Sequence, residues 1–430
     1  MHIQIDPKKH INTVKPLHGV GQPPLTGITF SMFHYLTEAG IPYSRLHDLG
    51  SKLGGGRLVD IPYIFRNFDA DPTDPASYDF TFTDLLITAL MDAGVEPFFR
   101  LGVTIENYRS IKAYHIYPPA DNHKWAVICE HIIRHYTEGW ANGFHYKISY
   151  WEIWNEPDNY EDPMENAMWR GTKEQYFALY ETASKHLKAC FPHLKIGGYA
   201  SCGFYAARGE FIKTANSSPR KEYFLDFFDA FLDFVKESGS PLDFFSWHTY
   251  SGPESNRFYV SYARRRLDEA GFKETESICN EWNPTPTNRG TYKHAADVCA
   301  SMLFFQEGGL DAAMFYDARY GIGNYAGMFN PETALPYPAY YAFKGFNELY
   351  VRGTQIACQS DDARVVAAAA SGAEDICILI ANPTEEEIPL ALEGIGKIRR
   401  VLLTANGKNE AEIPMPDVLP TCSILCITAE

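Results

Sequence analysis

The sequence predicts an α/β protein, a (β/α)8 TIM barrel followed by a small C-terminal β-sandwich. Eight short apolar runs alternate with amphipathic helical segments, and Gly or Pro closes most of those helices. After residue 350 the rhythm changes, and only strand-like runs follow. A length of 430 residues suits one large barrel with a smaller appendage.

The predicted barrel strands are short apolar runs with turn residues at their ends. They are PLHGVG (17–22), PYSRLHD (42–48), VEPFFRLG (95–102), KISYWEIWNEP (147–157), LKIGGYA (194–200), LDFFSWHTYS (242–251), ESICNEWNP (276–284) and AAMFYDAR (312–319). Segments such as WAVICEHIIRHYTEG and YFLDFFDAFLDFVKESG lie between them with helical periodicity. Alternating strands and helices imply parallel strands with right-handed crossovers, and eight such units close into a barrel.

The C-terminal region has a different pattern. Runs such as ARVVAAAA, DICILIAN and TCSILCITA are separated by Gly, Asn and Pro turns, which indicates a β-sandwich. We therefore assign residues 14–349 to the barrel and 350–430 to the sandwich. The opening strand, residues 1–13, is a candidate member of the sandwich.

Composition excludes several classes of partner. The chain carries 54 acidic and 38 basic residues, a net charge of −16, so its field repels nucleic acid and anionic membranes. The nine cysteines are odd in number and lack paired CxxC spacing, which favours reduced thiols. No apolar run resembles a signal peptide or a membrane span, so we expect a cytoplasmic protein. The oligomeric state stays open, a homo-oligomer included.

Two glutamates end predicted strands and are the candidate catalytic residues. Glu156 ends the fourth barrel strand and precedes Pro157, which should stop the strand, while Glu281 ends the seventh. Active sites of such barrels form at the C-terminal ends of the strands. Two carboxylates across one barrel mouth suit acid/base chemistry on a glycoside, and a retaining glycosidase needs them about 5 Å apart. Mutual repulsion predicts a pKa of the acid above its ordinary value of about 4.3.

The motif WEIWNEPDN resembles the acid/base signature of the retaining (β/α)8-barrel glycoside hydrolases of clan A. Further motifs are similar to glycoside hydrolase family 39, which holds β-xylosidases and α-L-iduronidases. PYSRLHD resembles its Arg-x-His pattern on the second strand, and FFSWHTY resembles its His-x-Tyr pattern on the sixth. The resemblance covers roughly residues 15–350 and is most specific around Glu156.

The resemblance implies catalytic roles. Glu156 would be the general acid/base and Glu281 the nucleophile of a double displacement. Asn155 would bind the 2-hydroxyl of the sugar, Arg45 would lie beside Glu281 and keep it ionised, and Tyr250 would orient it.

Other residues would shape the sugar pocket. By the same resemblance, His47 and His248 would bind ring hydroxyls. At the end of the eighth strand the superfamily often places a tryptophan under the sugar, and the candidates in this chain are Phe315 and Tyr316. Alternative stacking faces come from the tryptophans Trp151, Trp154, Trp169 and Trp282, unless they point into the core.

Two positions depart from the family pattern. Asp48 stands where glycine is expected, and Arg100 replaces an acidic residue of the xylosidases. Arg100 could bind the carboxylate of a uronic acid, but we favour a structural ion pair with a nearby acid such as Asp48 or Glu106.

The sequence therefore predicts a retaining glycoside hydrolase that removes a terminal pentose, xylose or arabinose, from oligosaccharides without a metal or organic cofactor. The alternatives are the same mechanism on a uronic acid or hexose glycoside, a transglycosidase, and a non-catalytic carbohydrate-binding barrel.

Overall fold

The computed structural model describes residues 1–27, 29–47, 58–105, 115–208, 218–321, 323 and 325–430. After β1 (His2–Thr13), which belongs to a separate sheet, eight strands close into a barrel in chain order. They are β2 (Gly19–Gly21), β3 (Tyr43–Leu46), β4 (Glu96–Leu101), β5 (Tyr150–Ile153), β6 (Lys195–Ser201), β7 (Phe244–Thr249), β8 (Glu276–Trp282) and β9 (Ala312–Phe315). Each predicted run overlaps one of these strands, and only β6 extends past its run, by one residue, so the barrel prediction is confirmed.

Helices follow most barrel strands. They are α1 (Phe33–Glu38), α2 (Ile61–Ile64), α3 (Thr81–Asp92), α4 (Asn122–Thr137), α5 (Lys173–Cys190), α6 (Pro219–Ser238), α7 (Pro253–Ala270), α8 (Tyr292–Glu307) and α9 (Pro338–Tyr350). Local signals fix their ends: Thr172 and Gln175 form a reciprocal capping box at the start of α5. Helix α6 begins with proline and ends at Gly239, whose φ of 64° favours glycine.

Strand alternation separates core from lumen in the barrel. The ring of Phe99 on β4 stacks on Trp151 of β5 at 5.0 Å and lies 6.0 Å from Tyr136 of α4, so these side chains face the helices. The neighbouring residues, Arg100 and Glu152, are paired in register and point to the opposite face, the lumen. Polar residues inside these apolar strands are therefore positioned for a site.

The chain divides into two compact units. The first unit comprises Met1–Tyr43, Tyr250–Ser261 and Glu281–Glu430, and the second comprises Ser44–Thr249 and Tyr262–Asn280. This division does not follow the predicted boundary at residue 350, which stays a prediction.

The C-terminal strands form a mostly antiparallel sheet of eight strands, in the order β14-β1-β10-β11-β12-β18-β15-β16, and a two-stranded sheet, β13-β17. The strands are β10 (Thr354–Ser360), β11 (Val366–Ser371), β12 (Ile376–Asn382), β13 (Ile388–Pro389), β14 (Ala391–Glu393), β15 (Ile398–Ala405), β16 (Lys408–Glu412), β17 (Val418–Leu419) and β18 (Ser423–Ala429). Ile388 of β13 and Leu419 of β17 share one apolar cluster with Ile3 and Ile5 of β1, so both sheets cover the same core. Strand β1 pairs with β10 and β14.

Strand β12 is buried along its whole length because both of its faces are covered. Ile378 and Ile380 join the apolar cluster between the sheets, while Leu379 on the other face contacts helix α9. A Cβ on Gly345 of α9 would lie 2.9 Å from a terminal methyl group of Leu379, so a larger residue there would force the Leu379 side chain to shift. Double burial explains why β12 reads as an unbroken apolar run rather than an alternating one.

Among the described residues, no helix combines the length and the apolar character needed to cross a membrane. All nine cysteines are free thiols, as their spacing predicts.

Candidate active site

The backbone at the end of β5 places Glu156 in an unusual conformation. The strand ends at Ile153, earlier than Pro157, because Trp154 adopts a φ of 74° and Glu156 a φ of 45°. The N–H of Glu156 donates to the carbonyl of Ala200, at the end of β6, over 3.0 Å. Such left-handed residues cost about 1–3 kcal/mol each and cluster at functional sites.

The Glu156 carboxyl is bound at both oxygens. Its Oε1 lies 2.8 Å from Nδ1 of His248, which is fully buried at the end of β7, and its Oε2 accepts from Asn159 Nδ2 over 2.8 Å. Arg220, in the first turn of α6, donates to the carbonyl and to Oδ1 of Asn159 over 2.6 and 3.1 Å. Its guanidinium also lies 4.2 Å from the ring centre of Tyr160. Arg220 therefore holds Asn159 in place, and Asn159 holds the carboxyl.

These contacts determine the ionisation of Glu156. Burial raises the pKa of its carboxyl, but the hydrogen bonds from His248 and Asn159 and the positive charges of His248 and Arg220 together lower it below its ordinary value. The prediction of a raised pKa is therefore wrong for the free protein. That prediction was based on repulsion from a second carboxylate and did not include the positive charge of His248.

A second acid, Asp158, lies close to Glu156 and is fully buried. Burial, and then the negative charge of Glu156, raises the pKa of Asp158 to about 7. Its carboxyl accepts from Ser201 Oγ over 2.9 Å and from the Cys202 N–H over 3.1 Å. Asp158 thus loses its proton within the neutral pH range, beside the predicted general acid.

Glu152, on β5 and earlier in the chain than Glu156, binds several polar side chains in the lumen of the barrel. Its Oε2 accepts from Nε and Nη2 of Arg45 over 2.9 and 2.7 Å, and its Oε1 accepts from Ser246 Oγ over 2.6 Å and from Asn280 Nδ2. Arg45 Nη2 also donates to Asn155 Oδ1 over 2.6 Å. Because Arg45 occupies the amide oxygen, Asn155 presents its N–H groups as donors. The contact of Arg45 with Glu281 stays a prediction.

His47 and Arg100 complete this group of residues. His47 is buried, and burial followed by the positive charges of Arg45 and Arg100 holds its pKa well below the ordinary value, so the imidazole is neutral. Arg100 Nη2 donates to Asp60 Oδ1 over 2.7 Å, and Thr104 also donates to this carboxylate. Arg100 therefore takes part in a structural ion pair, but Asp60 is the acid; Asp48 and Glu106 lie outside the described residues.

Glu281 lies in the first unit, on β8, and is buried. Tyr250, directly after β7, donates its hydroxyl to Glu281 Oε2 over 2.7 Å, the contact expected of a residue that orients the nucleophile. Tyr316 follows β9 and accepts at its hydroxyl from Gln22 over 2.7 Å. The rings of Tyr250 and Tyr316 are 6.3 Å apart. The opposition of Glu156 and Glu281 across the barrel mouth stays a prediction.

The tryptophans expected as stacking faces belong to the core. Trp282, predicted to bind substrate, is fully buried and its ring contacts Phe305 of α8, Phe315 of β9 and Phe343 of α9. Strand alternation is the reason: Glu281 points to one face of β8, so Trp282 points to the other, toward the helices. Phe315 is core by the same contacts. The further candidates are also at most 1% exposed: Trp151, Trp154 and Trp169.

Sequence reasoning missed Glu152, Asp158, Asn159 and Arg220. Glu152 carried a usable signal, because a charged residue inside an apolar strand needs a buried partner. Asp158 and Asn159 directly follow the Glu156 motif. Nothing in the sequence around Arg220 indicates that it reaches them.

The architecture and these residues agree with a known family. The sequence profile of "Glycosyl hydrolases family 39" matches residues 35–315, more than half of the chain. The chain belongs to glycosyl hydrolases family 39. The resemblance inferred from the motifs is confirmed.

Individual relatives support this membership. A β-xylosidase of Geobacillus stearothermophilus is 27% identical over 50% of this chain and 39% of its own length, so the chain spans well under half of that relative. A β-xylosidase of Caldicellulosiruptor saccharolyticus is 23% identical over 85% of this chain and 75% of its own length. The crystal structure of a glucosidase from Croceicoccus marinus shares the fold with a TM-score of 0.76 at 21% identity, over 99% of this chain and 98% of that one.

Replacing Glu152 with alanine should lower the free energy of unfolding by about 3–5 kcal/mol, because Arg45 would stay buried without its partner. Denaturant unfolding measures the loss. As a control, Glu181→Ala removes the largely exposed pair with Lys185 and should cost less than about 1 kcal/mol. A cost for Glu152→Ala as small as that of the control would contradict the central role of this carboxylate.

His248→Gln should move the alkaline limb of the pH profile of kcat/KM to higher pH by about one unit or more, because an opposite charge lowers the pKa of a carboxyl by that amount. A general acid must be protonated, so activity is lost as pH rises through its pKa; without His248, burial raises that pKa. His131→Gln on α4, where the side chain bonds the Val127 carbonyl, is the matched control. If the alkaline limb of His248→Gln stayed at the same pH or moved to lower pH, Glu156 would not be the general acid whose pKa His248 lowers.

Proposed function

We propose that this family 39 enzyme is a retaining glycosidase that releases a terminal pentose, xylose before arabinose, from short oligosaccharides. The observation that carries the proposal is the Glu156 carboxyl at the end of β5, bound by His248 and Asn159. A carboxyl held at both oxygens beside a histidine is suited to give and take a proton. Two relatives named β-xylosidase support the choice of sugar.

In the proposed mechanism the two glutamates share one glycosidic bond. An oxygen of the Glu281 carboxylate attacks the anomeric carbon, the bond to the leaving oxygen breaks, and that oxygen takes a proton from Glu156. Glu156 then accepts a proton from water, which attacks the same carbon and releases Glu281 from the glycosyl ester. Two inversions give net retention of configuration.

The neighbouring residues have roles that follow from their contacts. Tyr250 directs Glu281 through its hydrogen bond to Oε2. Asn155, fixed by Arg45, is suited to donate to the 2-hydroxyl, where a hydrogen bond strengthens as positive charge develops on the sugar ring. His248 keeps a proton beside Glu156, so the pair can supply the acid form when the leaving oxygen needs it.

The other sugars and the binding-protein alternative have less support. Arg100, the candidate for a uronic acid carboxylate, is paired with Asp60, which offsets its charge. A binding protein has no need for a carboxyl held between a histidine and an asparagine. We therefore place an uncharged pentose first and treat hexoses and uronic acids as outcomes of the test.

The test is a panel of nitrophenyl glycosides, with xylose, both ring forms of arabinose, galactose, glucose, fucose and uronic acids. We expect the xyloside to be hydrolysed, and we expect Glu281→Gln, which preserves size, to abolish the hydrolysis. Turnover of a hexoside or uronide alone would replace the proposed glycone. No turnover of the panel or of xylo-oligosaccharides would favour the binding protein.

Azide rescue assigns the two glutamates. Glu281→Ala should regain turnover with azide and give a glycosyl azide of inverted configuration, because azide attacks where the nucleophile is missing. Glu156→Ala should lose about 10²–10⁴-fold on substrates with poor leaving groups and little on activated aryl glycosides, and azide should give the retained product. The opposite stereochemistry in the two variants would exchange the roles.

A further inference from the structure

A cluster of three metal-binding side chains lies on the outer helices of the second unit. Glu130 belongs to α4, and His186 and Cys190 belong to α5. One ligand atom of each residue lies within 4.8 Å of those of the other two. His186 and Cys190 are four residues apart on one helix, so they share a face, and Glu130 faces them from the neighbouring helix.

The distances are close to those of a bound metal ion. His186 Nε2 lies 2.6 Å from Glu130 Oε2 and 3.8 Å from Cys190 Sγ. Zn–N and Zn–O bonds of about 2.0 Å and a Zn–S bond of about 2.3 Å place tetrahedral ligands about 3.3 Å (N and O) and about 3.5 Å (N and S) apart. The observed separation of Cys190 Sγ and His186 Nε2 therefore differs from the tetrahedral value by only a few tenths of an ångström. The separation of Glu130 Oε2 and His186 Nε2 would have to increase by about 0.7 Å, which a side-chain rotation supplies.

The chemistry of the three donors selects the ion. A thiolate, an imidazole and a carboxylate are a typical mixed set for Zn²⁺, whereas Mg²⁺ and Ca²⁺ prefer oxygen ligands alone. The side chains of Glu130 and His186 are 13% and 21% exposed, so the cluster is sheltered but reachable from solvent. Solvent can supply the fourth ligand.

The surrounding charges are compatible with a dication. Arg134 donates to Oε1 of Glu130 over 2.8 Å and leaves Oε2 directed at His186, which fixes the carboxylate for binding through one oxygen. The same guanidinium bonds Glu138. With the thiolate form of Cys190, the two carboxylates and Arg134, a Zn²⁺ ion would bring the local net charge to zero.

We propose that Glu130, His186 and Cys190 form a zinc site that joins helices α4 and α5. The site is separate from the glutamates of the proposed glycosidase mechanism, and its ligands come from the faces of two helices rather than from the strand ends. Its contribution is to stability: the ion binds the folded protein only, so it raises the free energy of unfolding.

Co²⁺ titration of the chelator-treated full-length protein tests the site. Thiolate ligation gives Co²⁺ an intense near-ultraviolet charge-transfer band, which a site of carboxylates and imidazoles lacks. We expect this band at one Co²⁺ per chain, its loss on adding Zn²⁺, and a rise of the Tm with Zn²⁺ of at least about 2 °C. A folded wild type without the band would overturn the proposal.

Variants assign the ligands. Cys190→Ser should abolish the band, and His186→Gln and Glu130→Gln should weaken Co²⁺ binding at least about tenfold, which corresponds to the loss of one ligand contact. Cys422→Ser, at another partly buried thiol, is the matched control and should bind like the wild type. A band that persists in Cys190→Ser would place the metal elsewhere. Circular dichroism checks that each variant is folded, and glycoside hydrolysis with and without Zn²⁺ should be equal.

Discussion

The site depends on one buried carboxylate. Glu152 lies in the lumen of the barrel, fully buried, where an uncompensated charge would cost several kcal/mol. It is satisfied by Arg45 from β3, Ser246 from β7 and Asn280 from β8, so one side chain ties together residues of four strands. Such a pair gives little net stability over an apolar core. What it contributes here is geometry, because Arg45 also binds Asn155, next to Glu156.

The contacts of Glu156 place two opposing demands on its proposed role as general acid. The hydrogen bond to His248 holds Glu156 in one orientation, yet the same contact lowers its pKa and favours the carboxylate. Asp158 is affected in the opposite direction: burial and then the negative charge of Glu156 raise its pKa to about 7, so Asp158 still holds a proton where Glu156 is already ionised. The proposed proton donation to the leaving oxygen therefore involves this pair of neighbouring acids rather than Glu156 alone.

Periodicity and strand ends were enough to predict the barrel, because every predicted run that alternates with a helix overlaps an observed barrel strand. The resemblance to the family, and not periodicity, led to the expectation that Tyr250 orients Glu281, and the Tyr250 hydroxyl does donate to the Glu281 carboxylate. The sequence patterns did not predict which face of a strand a side chain occupies. Trp282 and Glu281 are neighbours in sequence, but alternation sends one to the core and the other to the lumen. They failed again for Arg220, because a contact between a helix and a distant loop depends on the fold and leaves no local pattern.

The arrangement of charge also bears on the sugar. Two buried arginines of the second unit each have an acid as partner: Arg45 pairs with Glu152, and Arg100 pairs with Asp60. Burial and these two cations keep His47 neutral. A substrate carboxylate would thus find no uncompensated positive charge on these three residues, and it would approach Glu156 and Asp158 with repulsion. An uncharged sugar needs no positive charge and is not repelled by Glu156 and Asp158. Its hydroxyls can accept hydrogen bonds from donors such as Asn155. The same pairing that allows two arginines to be buried therefore supports the proposal of a neutral glycone rather than a uronic acid.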